Sequence, residues 1–378
     1  MRLRRLALIL LVSFMFVNIV AMSSVDAKAT TEDCRKVVSS SSKTNQNCRR
    51  PTKKPSKKKP SSPKKPSSPK KPSSPKKPPS KRPPTPRPRP SPSPSPSPAS
   101  PSPSAPSPPP TAPYLITYDI VRTQDWDPTI FTQGLEVARA CSTCPKRIFV
   151  SSGLRLSQEG VASYVAAKDV DTGTTFTKTQ LQDDHFGEGV TVLGGNMYQL
   201  LWQSSDLMVY DPQSLELVDT RRHPLADGWG LTNNGRELIM SDGSSRLAFF
   251  LPQNPSQVTR ELRITFQGTE VANLNELEYV RGYVYANVWR SACVAKIDAA
   301  TGEVVGWLDA SRLRALIDEG AAPRPPYSSF GYDVNGIASD GDELVMTGKY
   351  WNKLMRVRET GAEPISDVEG VKRMCLVS

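Results

Sequence analysis

Residues 186–212 read Phe-Gly-Glu-Gly-Val-Thr-Val-Leu-Gly-Gly-Asn-Met-Tyr-Gln-Leu-Leu-Trp-Gln-Ser-Ser-Asp-Leu-Met-Val-Tyr-Asp-Pro. Three short apolar runs lie in this stretch, at Val190–Leu193, Met197–Trp202 and Leu207–Tyr210, and Gly, Asn, Ser or Asp separates each from the next. Short runs rich in β-branched and aromatic residues between such breakers are typical of β-strands joined by tight turns. The stretch therefore predicts consecutive strands of one sheet, ending in a turn at Asp211-Pro212.

The same order of opening, turn and strand recurs along the second part of the chain. Five units open at Gly134-Leu135-Glu136, Gly189-Val190-Thr191, Gly230-Leu231-Thr232, Glu276-Leu277-Glu278 and Gly336-Ile337-Ala338. Successive openings lie 55, 41, 46 and 60 positions apart. A four-stranded sheet every ~40–50 residues is the signature of a propeller blade. The sequence predicts an all-β, five-bladed β-propeller in which Tyr114–Val121 adds a strand to the last blade and closes the ring.

The same pattern places further secondary structure along these units. Additional strands are predicted at Arg147–Ser152, Glu237–Ser241, Leu247–Leu251, Leu277–Val280, Tyr283–Val288, Val294–Ile297, Val304–Leu308, Glu343–Thr347 and Lys353–Val357. One helix is predicted at Ser311–Asp318. In several units one strand is also expected to end in an Asp turn, at Asp171-Thr172-Gly173, Asp211-Pro212 and Asp298-Ala299-Ala300-Thr301-Gly302.

Proline and charge are distributed unevenly along the 378 residues. Of 36 prolines, 26 lie between Pro51 and Pro113. The formal net charge of +12 divides into +2 for residues 1–27, +19 for residues 28–113 and −9 for residues 114–378. Because the excess of basic residues lies in a low-complexity segment that cannot form a packed core, it is no sign of a nucleic-acid-binding domain. No nucleic-acid partner is predicted.

The chain therefore divides into three predicted segments. Residues 1–27 resemble a signal peptide, because three arginines precede an apolar stretch and small residues end it at Ala27. Secretion is expected, and the length of the apolar stretch leaves open an uncleaved anchor with a lumenal domain. Residues 28–113 are a disordered Pro/Ser/Lys-rich linker, interpreted as a solvated spacer or as an attachment to a cell wall or another anionic surface. Residues 114–378 are the propeller domain, expected to be monomeric.

Six cysteines in an exported chain predict disulfides. The pairs considered are Cys34–Cys48, Cys141–Cys144 and Cys293–Cys375, the last only if the chain end folds back over the ring. Six cysteines permit 15 connectivities, and the sequence does not choose among them. With one Cys-x-x-Cys motif and two histidines, His185 and His223, a closed zinc site is not expected. We predict neither a metal nor a cofactor.

Function is expected at the central mouth of the propeller, where the inner strands begin. The blade openings carry polar and aromatic residues beside glycine, where the backbone is able to pass close to a ligand. These openings are Phe131-Thr132-Gln133-Gly134-Leu135, Phe186-Gly187-Glu188-Gly189, Asp227-Gly228-Trp229-Gly230-Leu231, Asn273-Leu274-Asn275-Glu276-Leu277-Glu278 and Val334-Asn335-Gly336-Ile337.

Together with Ser-Asp-Gly-Ser-Ser at 241–245, Ala-Asn-Val-Trp at 286–289 and Thr-Gly-Lys-x-Trp at 347–351, these motifs resemble plant-type glutaminyl-peptide cyclotransferases. The resemblance extends over about residues 114–358 and through all five units. It implies a five-bladed propeller enzyme that converts the N-terminal glutamine of peptides and proteins to pyroglutamate, releases ammonia and uses no catalytic metal. Peptides that begin with glutamine are then the expected partners.

The resemblance also implies roles for individual residues. Glu188 becomes the general acid and base, enclosed by Phe186 and by tryptophans whose apolar surface raises its pKa. Lys349 and Asn275 become donors to the oxyanion, and Gln133 holds the amide or amine of the substrate. The residues expected to wall the pocket and exclude water are Phe131, Trp202, Trp229 and Trp289.

Structural alternatives exist for each of these residues. Glu188 resembles a turn residue, Lys349 a solvated charge at a strand end and Asn275 a turn cap, while tryptophans are common in the packing of propeller blades. The alternative function is an inactive propeller module that recognises peptide N-termini, and the linker alone would suit a structural wall protein. Trp126 stands where the family pattern has a histidine, so we expect it to affect how the second substrate residue is received.

Overall fold

The computed structural model describes residues 112–182, 184–317 and 332–376. In chain order the strands of these ranges are β1 (Tyr114–Asp125), β2 (Thr132–Arg139), β3 (Lys146–Ser152), β4 (Tyr164–Asp169), β5 (Thr175–Gln180), β6 (Gly187–Leu193), β7 (Asn196–Leu201), β8 (Asp206–Tyr210), β9 (Leu217–Arg222), β10 (Leu231–Asn233), β11 (Leu238–Ser241), β12 (Arg246–Phe250), β13 (Val258–Arg263), β14 (Thr265–Phe266), β15 (Thr269–Glu270), β16 (Leu274–Val280), β17 (Tyr283–Val288), β18 (Cys293–Asp298), β19 (Val304–Asp309), β20 (Val334–Asp340), β21 (Glu343–Gly348) and β22 (Lys353–Pro364). The helices are α1 (Leu156–Glu159), α2 (Ser311–Arg314) and α3 (Val368–Cys375).

Within the described ranges these strands form five four-stranded blades, one for each predicted unit. Four blades are built from consecutive strands, β2–β5, β6–β9, β10–β13 and β16–β19. The fifth blade has the order β20, β21, β22 and β1. The five inner strands, β2, β6, β10, β16 and β20, pack next to one another around the centre. The fold is the predicted all-β, five-bladed propeller.

The first strand closes the ring, as the sequence predicts. β1 runs antiparallel to β22, from the pair Tyr114–Pro364 to the pair Asp125–Lys353, and it is longer than the predicted Tyr114–Val121. Two of its residues, Tyr114 and Leu115, also pair in parallel with β19 of the fourth blade. The N-terminal strand therefore joins the last two blades and covers edges that would otherwise be free to pair.

Glycines at three blade openings serve the packing of neighbouring blades. A Cβ added at Gly134 would lie 2.5 Å from the Val190 nitrogen, and one at Gly189 would lie 2.3 Å from the Leu231 nitrogen. A Cβ at Gly230 would lie 1.9 Å from the Asn275 carbonyl oxygen. The expectation that these glycines make room for a ligand is wrong, because the backbone that each approaches belongs to the next inner strand.

The predicted Asp turns share one hydrogen-bond pattern. The Oδ1 atom of Asp211 accepts hydrogen bonds from the backbone nitrogens two and three positions later, and Asp298 does the same. In the first blade the equivalent residue is Asp169 rather than the predicted Asp171. The turn prediction there is wrong by two residues, because Asp171 itself lies inside the turn and Asp169 ends the strand.

Some elements differ from the sequence predictions. The outer strands β5, β9 and β13 are not predicted, because they are mostly exposed and carry few apolar residues. The predicted helix Ser311–Asp318 begins at the expected residue, but α2 ends at Arg314. Helix α3 is not predicted, and it starts where the Asp367 side chain accepts a hydrogen bond from the Gly370 nitrogen.

Two disulfides lie within the described residues. Cys141 pairs with Cys144 in the turn between β2 and β3, and Cys293 pairs with Cys375, so that α3 is fixed to β18. The chain end therefore does fold back, as that pairing requires. Cys34, Cys48, the predicted signal peptide and almost all of the predicted linker lie outside the described residues. In the part that the structure describes, no helix has the length and apolar character needed to cross a membrane.

Candidate active site

A cavity of about 270 Å³ opens at the end of the propeller where the inner strands begin. It is lined by Phe131, Gln133, Arg155, Phe186, Glu188, Trp202, Gln203, Trp229, Asn275, Trp289 and Lys349. All nine residues that the sequence places around the pocket, Phe186 included, are among them. The propeller therefore collects into one cavity side chains that are separated by more than 200 positions in the chain.

Two kinds of strand end position these side chains. Gln133, Glu188 and Asn275 each lie at the second position of an inner strand. Trp202, Trp289 and Lys349 directly follow the second strands of three blades, β7, β17 and β21. Because the second strand of a blade runs antiparallel to the first, its end lies beside the start of the inner strand.

Glu188 is a buried carboxyl group with two different oxygen atoms. Its side chain is 4% exposed, and Oε1 accepts a hydrogen bond of 2.9 Å from Nε2 of Gln133. Oε2 is buried and has no hydrogen-bond partner among the described residues. Burial raises the pKa of Glu188 well above its ordinary value, and the charge of Asp227 adds to this, while Lys349 and the Gln133 hydrogen bond oppose it. The carboxyl is thus more easily protonated than an exposed glutamate, as a group that both accepts and returns a proton requires.

Lys349 is a second buried ionisable group at the cavity wall, 3% exposed. Burial lowers its pKa, and the charges of Glu188 and Asp333 act in the opposite direction. Its Nζ atom lies 4.8 Å from the ring centroid of Phe131 and 6.0 Å from that of Trp289. The aromatic rings therefore supply part of the electrostatic stabilisation of the ammonium group.

Asn275 is also buried, with 3% of its side chain exposed. Its backbone oxygen accepts a hydrogen bond of 2.8 Å from Oγ of Ser241, which fixes the start of β16. Its Oδ1 atom has no hydrogen-bond partner among the described residues. A polar side chain held at a cavity wall with hydrogen-bonding capacity left over is suited to bind a ligand.

Aromatic side chains form the walls of the cavity in two contacting pairs. The rings of Phe186 and Trp202 have centroids 5.5 Å apart at an angle of 60°, and those of Trp229 and Trp289 are 5.5 Å apart at 88°. Phe131 contacts Phe186 edge to face at 6.1 Å. These contacts fix the ring positions and make the cavity mainly apolar, with a few polar groups directed inward.

Sequence analysis missed two lining residues, Arg155 and Gln203. The Arg155 guanidinium lies 4.9 Å from the ring centroid of Trp202, on the segment between β3 and α1. Gln203 follows Trp202, with a positive φ of 53°, and its backbone nitrogen donates a 2.6 Å hydrogen bond to Asp227. No motif marks Arg155, because its segment has no counterpart in the repeat, whereas Gln203 could have been found from its position beside Trp202.

Other residues noted in the sequence lie away from the cavity wall. Trp126 packs in a buried cluster with Ile130 and Leu354 and is not among the lining residues, so it is not placed to receive a substrate residue. His223 is buried, and burial lowers its pKa to about 4. Within the described ranges, no group of three or more His, Cys, Asp or Glu side chains is arranged to hold a metal ion.

Comparison with known proteins gives concordant matches. The sequence model of the glutamine cyclotransferase family matches residues 97–358. Over 263 residues the chain is 36% identical to a glutaminyl-peptide cyclotransferase of Arabidopsis thaliana, a match that covers 68% of this chain and 76% of the relative. A crystal structure of Myxococcus xanthus glutaminyl cyclase matches with a TM-score of 0.56 and 28% identity, covering 67% of this chain and 100% of that one.

Proposed function

The chain belongs to the glutamine cyclotransferase family, whose members convert N-terminal glutamine to pyroglutamate and release ammonia, and we propose that Glu188 carries the proton transfers of this reaction. The observation that supports this assignment is the Oε2 atom of Glu188, which is buried at the cavity wall without a hydrogen-bond partner among the described residues. A carboxyl oxygen in that situation is available to the substrate.

The reaction requires one proton to be moved between two nitrogen atoms. The α-amine of the substrate attacks the carbon of its own side-chain amide, so a C–N bond forms and a tetrahedral intermediate carries the former carbonyl oxygen. The attacking nitrogen loses a proton, and the amide nitrogen gains one as its bond to carbon breaks and ammonia leaves. As a carboxylate, Glu188 accepts the first proton at Oε2, and as a carboxylic acid it returns the proton to the leaving nitrogen.

Lys349 and Asn275 act on the oxygen of the tetrahedral intermediate. Lys349 provides a positive charge in a water-poor cavity, where electrostatic interactions are stronger than in bulk water. The amide nitrogen of Asn275 provides a second donor. Both side chains are held before the reaction begins, so little reorganisation is needed as negative charge develops on the oxygen.

The aromatic walls act on the conformation of the substrate. Cyclisation requires the flexible glutamine side chain to bend back toward its own α-amine, and an enclosed apolar cavity favours such a compact conformer. Phe131, Trp202, Trp229 and Trp289 enclose this space. They also exclude water, whose attack on the amide would give glutamate instead of pyroglutamate.

The test uses the full chain and a peptide that begins with glutamine. Mass spectrometry is expected to detect the loss of one ammonia from this peptide, faster than the spontaneous reaction, and no loss from the same peptide with an acetylated N-terminus. The acetylated control removes the nucleophile but keeps the side chain. Binding of the free peptide without ammonia loss above the spontaneous rate would instead identify an inactive recognition module.

We also propose that residues 1–27 direct the enzyme into the secretory pathway. Residues 28–113 then form a linker between residues 1–27 and the propeller. The two disulfides of the described residues support an oxidising compartment. Expression in a secreting eukaryotic host tests the proposal. A secreted protein whose N-terminus is near residue 28 is expected, whereas a full-length protein in the membrane fraction would indicate the anchored alternative, and a cytosolic protein would contradict both.

The proposed attachment role of the linker is tested separately. The lysine pairs of residues 51–113 would bind anionic polysaccharide by charge. The full chain is expected to bind an immobilised polyanion such as pectin at low salt and to be released at high salt, whereas a chain lacking residues 51–113 is expected to pass through. Equal retention of both chains would leave the linker as a spacer only.

A further inference from the structure

A chain of two amide side chains leads from the fifth blade to the proposed catalytic carboxyl. Asn335, on β20, is 1% exposed, and its Nδ2 atom donates hydrogen bonds of 2.9 Å to the Thr132 carbonyl oxygen and of 2.9 Å to Oε1 of Gln133. Gln133 in turn donates from Nε2 to Oε1 of Glu188, at 2.9 Å. All three side chains are buried, so each of these hydrogen bonds is protected from competition with water.

We propose that Asn335 is a positioning residue, which orients the Gln133 amide so that the proton of Glu188 is confined to Oε2. The inference rests on the proposed function of Glu188. Asn335 itself does not line the cavity, and it acts on the reaction only through Gln133. The blade-opening motif that contains Asn335 was noted from the sequence, but no role for this residue followed from it.

A backbone carbonyl fixes the direction of the whole chain. The Thr132 oxygen can only accept a hydrogen bond, so the Asn335 atom that faces it must be the nitrogen. That same nitrogen faces Gln133, which must then present its oxygen to Asn335. The nitrogen of the Gln133 amide is left to face Glu188. The orientation of both amides therefore follows from donor and acceptor chemistry, whichever way either amide would lie in isolation.

This orientation determines which oxygen of Glu188 can carry a proton. Because Gln133 presents a donor to Oε1, a proton on that oxygen would face another N–H group and lose its acceptor. A proton on Oε2 meets no such conflict, since Oε2 has no partner among the described residues. If the Gln133 amide turned over, its oxygen would accept a hydrogen bond from a protonated Oε1 and hold that proton away from the substrate. The hydrogen bond from Asn335 to Oε1 of Gln133 prevents the Gln133 amide from turning over.

The same hydrogen bond also affects the acidity of Glu188. Burial and the charge of Asp227 raise its pKa, while the charge of Lys349 and the Gln133 donor lower it. Loss of the correctly oriented donor therefore leaves the pKa of Glu188 higher than in the wild type. Because Glu188 must be a carboxylate to accept the first proton, the acid limb of the pH dependence of kcat should move to higher pH.

The test compares Asn335→Leu and Asn335→Ala with wild type, using the full chain and a glutamine-initiated peptide. We expect kcat to fall by roughly 10²-fold, as for a displaced catalytic group. KM should change by no more than a few-fold, and the acid limb should move to higher pH. The matched controls are Asn287→Leu and Asn287→Ala. Asn287 is equally buried and accepts from the Gly336 nitrogen, but it makes no hydrogen bond to Gln133, so its variants should keep the acid limb in place.

Gln133→Met provides a second variant and a double-mutant cycle. It removes the donor to Glu188 directly, so it should move the acid limb in the same direction even if the Asn335 variants do not fold. Adding Asn335→Leu to Gln133→Met should reduce kcat little further, because Asn335 acts through Gln133. Unchanged acid limbs, or additive losses of kcat, would overturn the positioning role while leaving Glu188 as the catalyst. An inactive wild type would instead overturn the proposed function.

Discussion

At the scale of single residues, the site combines two buried groups of opposite charge. Glu188 and Lys349 are both almost fully buried. The charge of Lys349 lowers the pKa of Glu188 and the charge of Glu188 raises the pKa of Lys349, so each favours the charged form of the other. Burial alone would favour the neutral forms of both groups. The site therefore contains a carboxyl with a raised pKa, suited to exchange a proton with the substrate, and beside it a buried lysine suited to stabilise an oxyanion.

Removal of the buried cation is the prediction that belongs to this scale. We expect Lys349→Met to lower kcat by about 10²–10³-fold, the usual cost of losing one oxyanion donor. The acid limb of the kcat profile should also move to higher pH, because the cation that lowers the Glu188 pKa is gone. Steady-state ammonia release measured over a range of pH checks both effects.

The matched control is Lys178→Met, which removes a lysine that stacks on Tyr164 in the first blade, away from the cavity. This control should keep the wild-type kcat and pH profile. A Lys349→Met enzyme with kcat within a few-fold of wild type would show that the oxyanion is stabilised by other groups.

The sequence was sufficient to identify most of the cavity wall. Glu188 and Asn275 lie in blade openings that the repeat brings together at the mouth, whereas their roles and the place of Trp289 in the pocket were implied by the resemblance to glutaminyl-peptide cyclotransferases. Arg155 could not be predicted, because its position depends on the path of a segment that does not repeat. The hydrogen bond between Gln133 and Glu188 could not be predicted either. Side-chain contacts between blades depend on packing distances that the repeat period does not specify.

At the scale of elements, the close approach of inner strands determines where the site residues lie. Gly230 precedes β10 and faces the Asn275 carbonyl oxygen on β16, with too little space for a side chain between them. In the fourth blade the equivalent position is Glu276, whose two carboxyl oxygens accept hydrogen bonds from the Leu135 and Ile337 nitrogens of two other inner strands. Glu276 is thus the one residue at this position of the five openings that is not glycine, and its hydrogen bonds link the fourth blade to two others.

Gly230→Ala tests this packing. The added Cβ would lie 1.9 Å from the Asn275 oxygen, which is a backbone atom, so no side-chain adjustment relieves the contact. We expect the free energy of unfolding to fall by about 3 kcal/mol, the upper end of the usual cost of overpacking. Activity should fall as well, because Asn275 must move. Urea unfolding followed by fluorescence measures the first effect.

Gly235→Ala is the control for this substitution. Its added Cβ would meet no atom within 4 Å, although its φ of 86° is unfavourable for alanine. A loss of about 1–2 kcal/mol is expected from this strain alone. Equal losses for the two variants would mean that the approach of the inner strands is not the constraint at Gly230.

Element prediction succeeded for most buried strands and failed for the exposed outer strands, and it also missed the buried strand β4. Strands such as β7 and β17 have apolar runs that indicate them directly. The outer strand β9 is mostly exposed and polar, so tertiary pairing with β8 determines its conformation. Helix α3 is short and contains Gly370, and its position is fixed by a disulfide that the sequence left open.

At the scale of the whole molecule, buried carboxyl groups connect the five inner strands at the centre. Glu136 accepts a hydrogen bond from Thr191 on β6. Glu278 accepts hydrogen bonds from Thr232 on β10 and from the Ser339 nitrogen on β20. Burial raises the pKa of both groups, that of Glu136 to about 7. The nearby charge of Glu136 raises the pKa of Glu278 further. Glu136 and Glu278 therefore stay protonated in the folded protein at pH values at which they would lose the proton in the unfolded chain.

A pH dependence of stability follows from these shifts. The pKa of Glu136 is about 7 in the folded protein, above its ordinary value of 4.5. Between pH 4.5 and pH 7 the folded protein therefore keeps a proton on Glu136 that the unfolded chain has lost. This stabilisation is complete below about pH 4.5 and is lost as the pH rises through about 7. Unfolding free energies from urea titrations should therefore decline across this window.

Glu136→Gln isolates the contribution, because the amide cannot titrate. The variant should show a shallower decline than wild type over the same pH range, with Glu278 and Glu276 accounting for the remainder. Identical slopes for variant and wild type would contradict the assignment of this proton to Glu136. A rise in wild-type stability across the window would contradict the raised pKa values themselves.

The repeat period predicted the five-bladed fold correctly. The blade number follows from the five openings, and ring closure by β1 follows from the need to cover a sheet edge. The carboxyl groups at the centre were outside the reach of sequence analysis. Glu136 and Glu278 are the third residues of the openings of two different units, and only the closed ring brings them close together.

The most direct test of the account is the rate of ammonia release by Glu188→Gln compared with wild type, on the same glutamine-initiated peptide. Glutamine keeps the shape of the side chain but cannot exchange a proton. We predict that kcat falls by roughly 10²–10⁴-fold while the peptide still binds. A kcat within a few-fold of wild type would contradict the central claim that Glu188 carries the proton from the attacking amine to the departing ammonia.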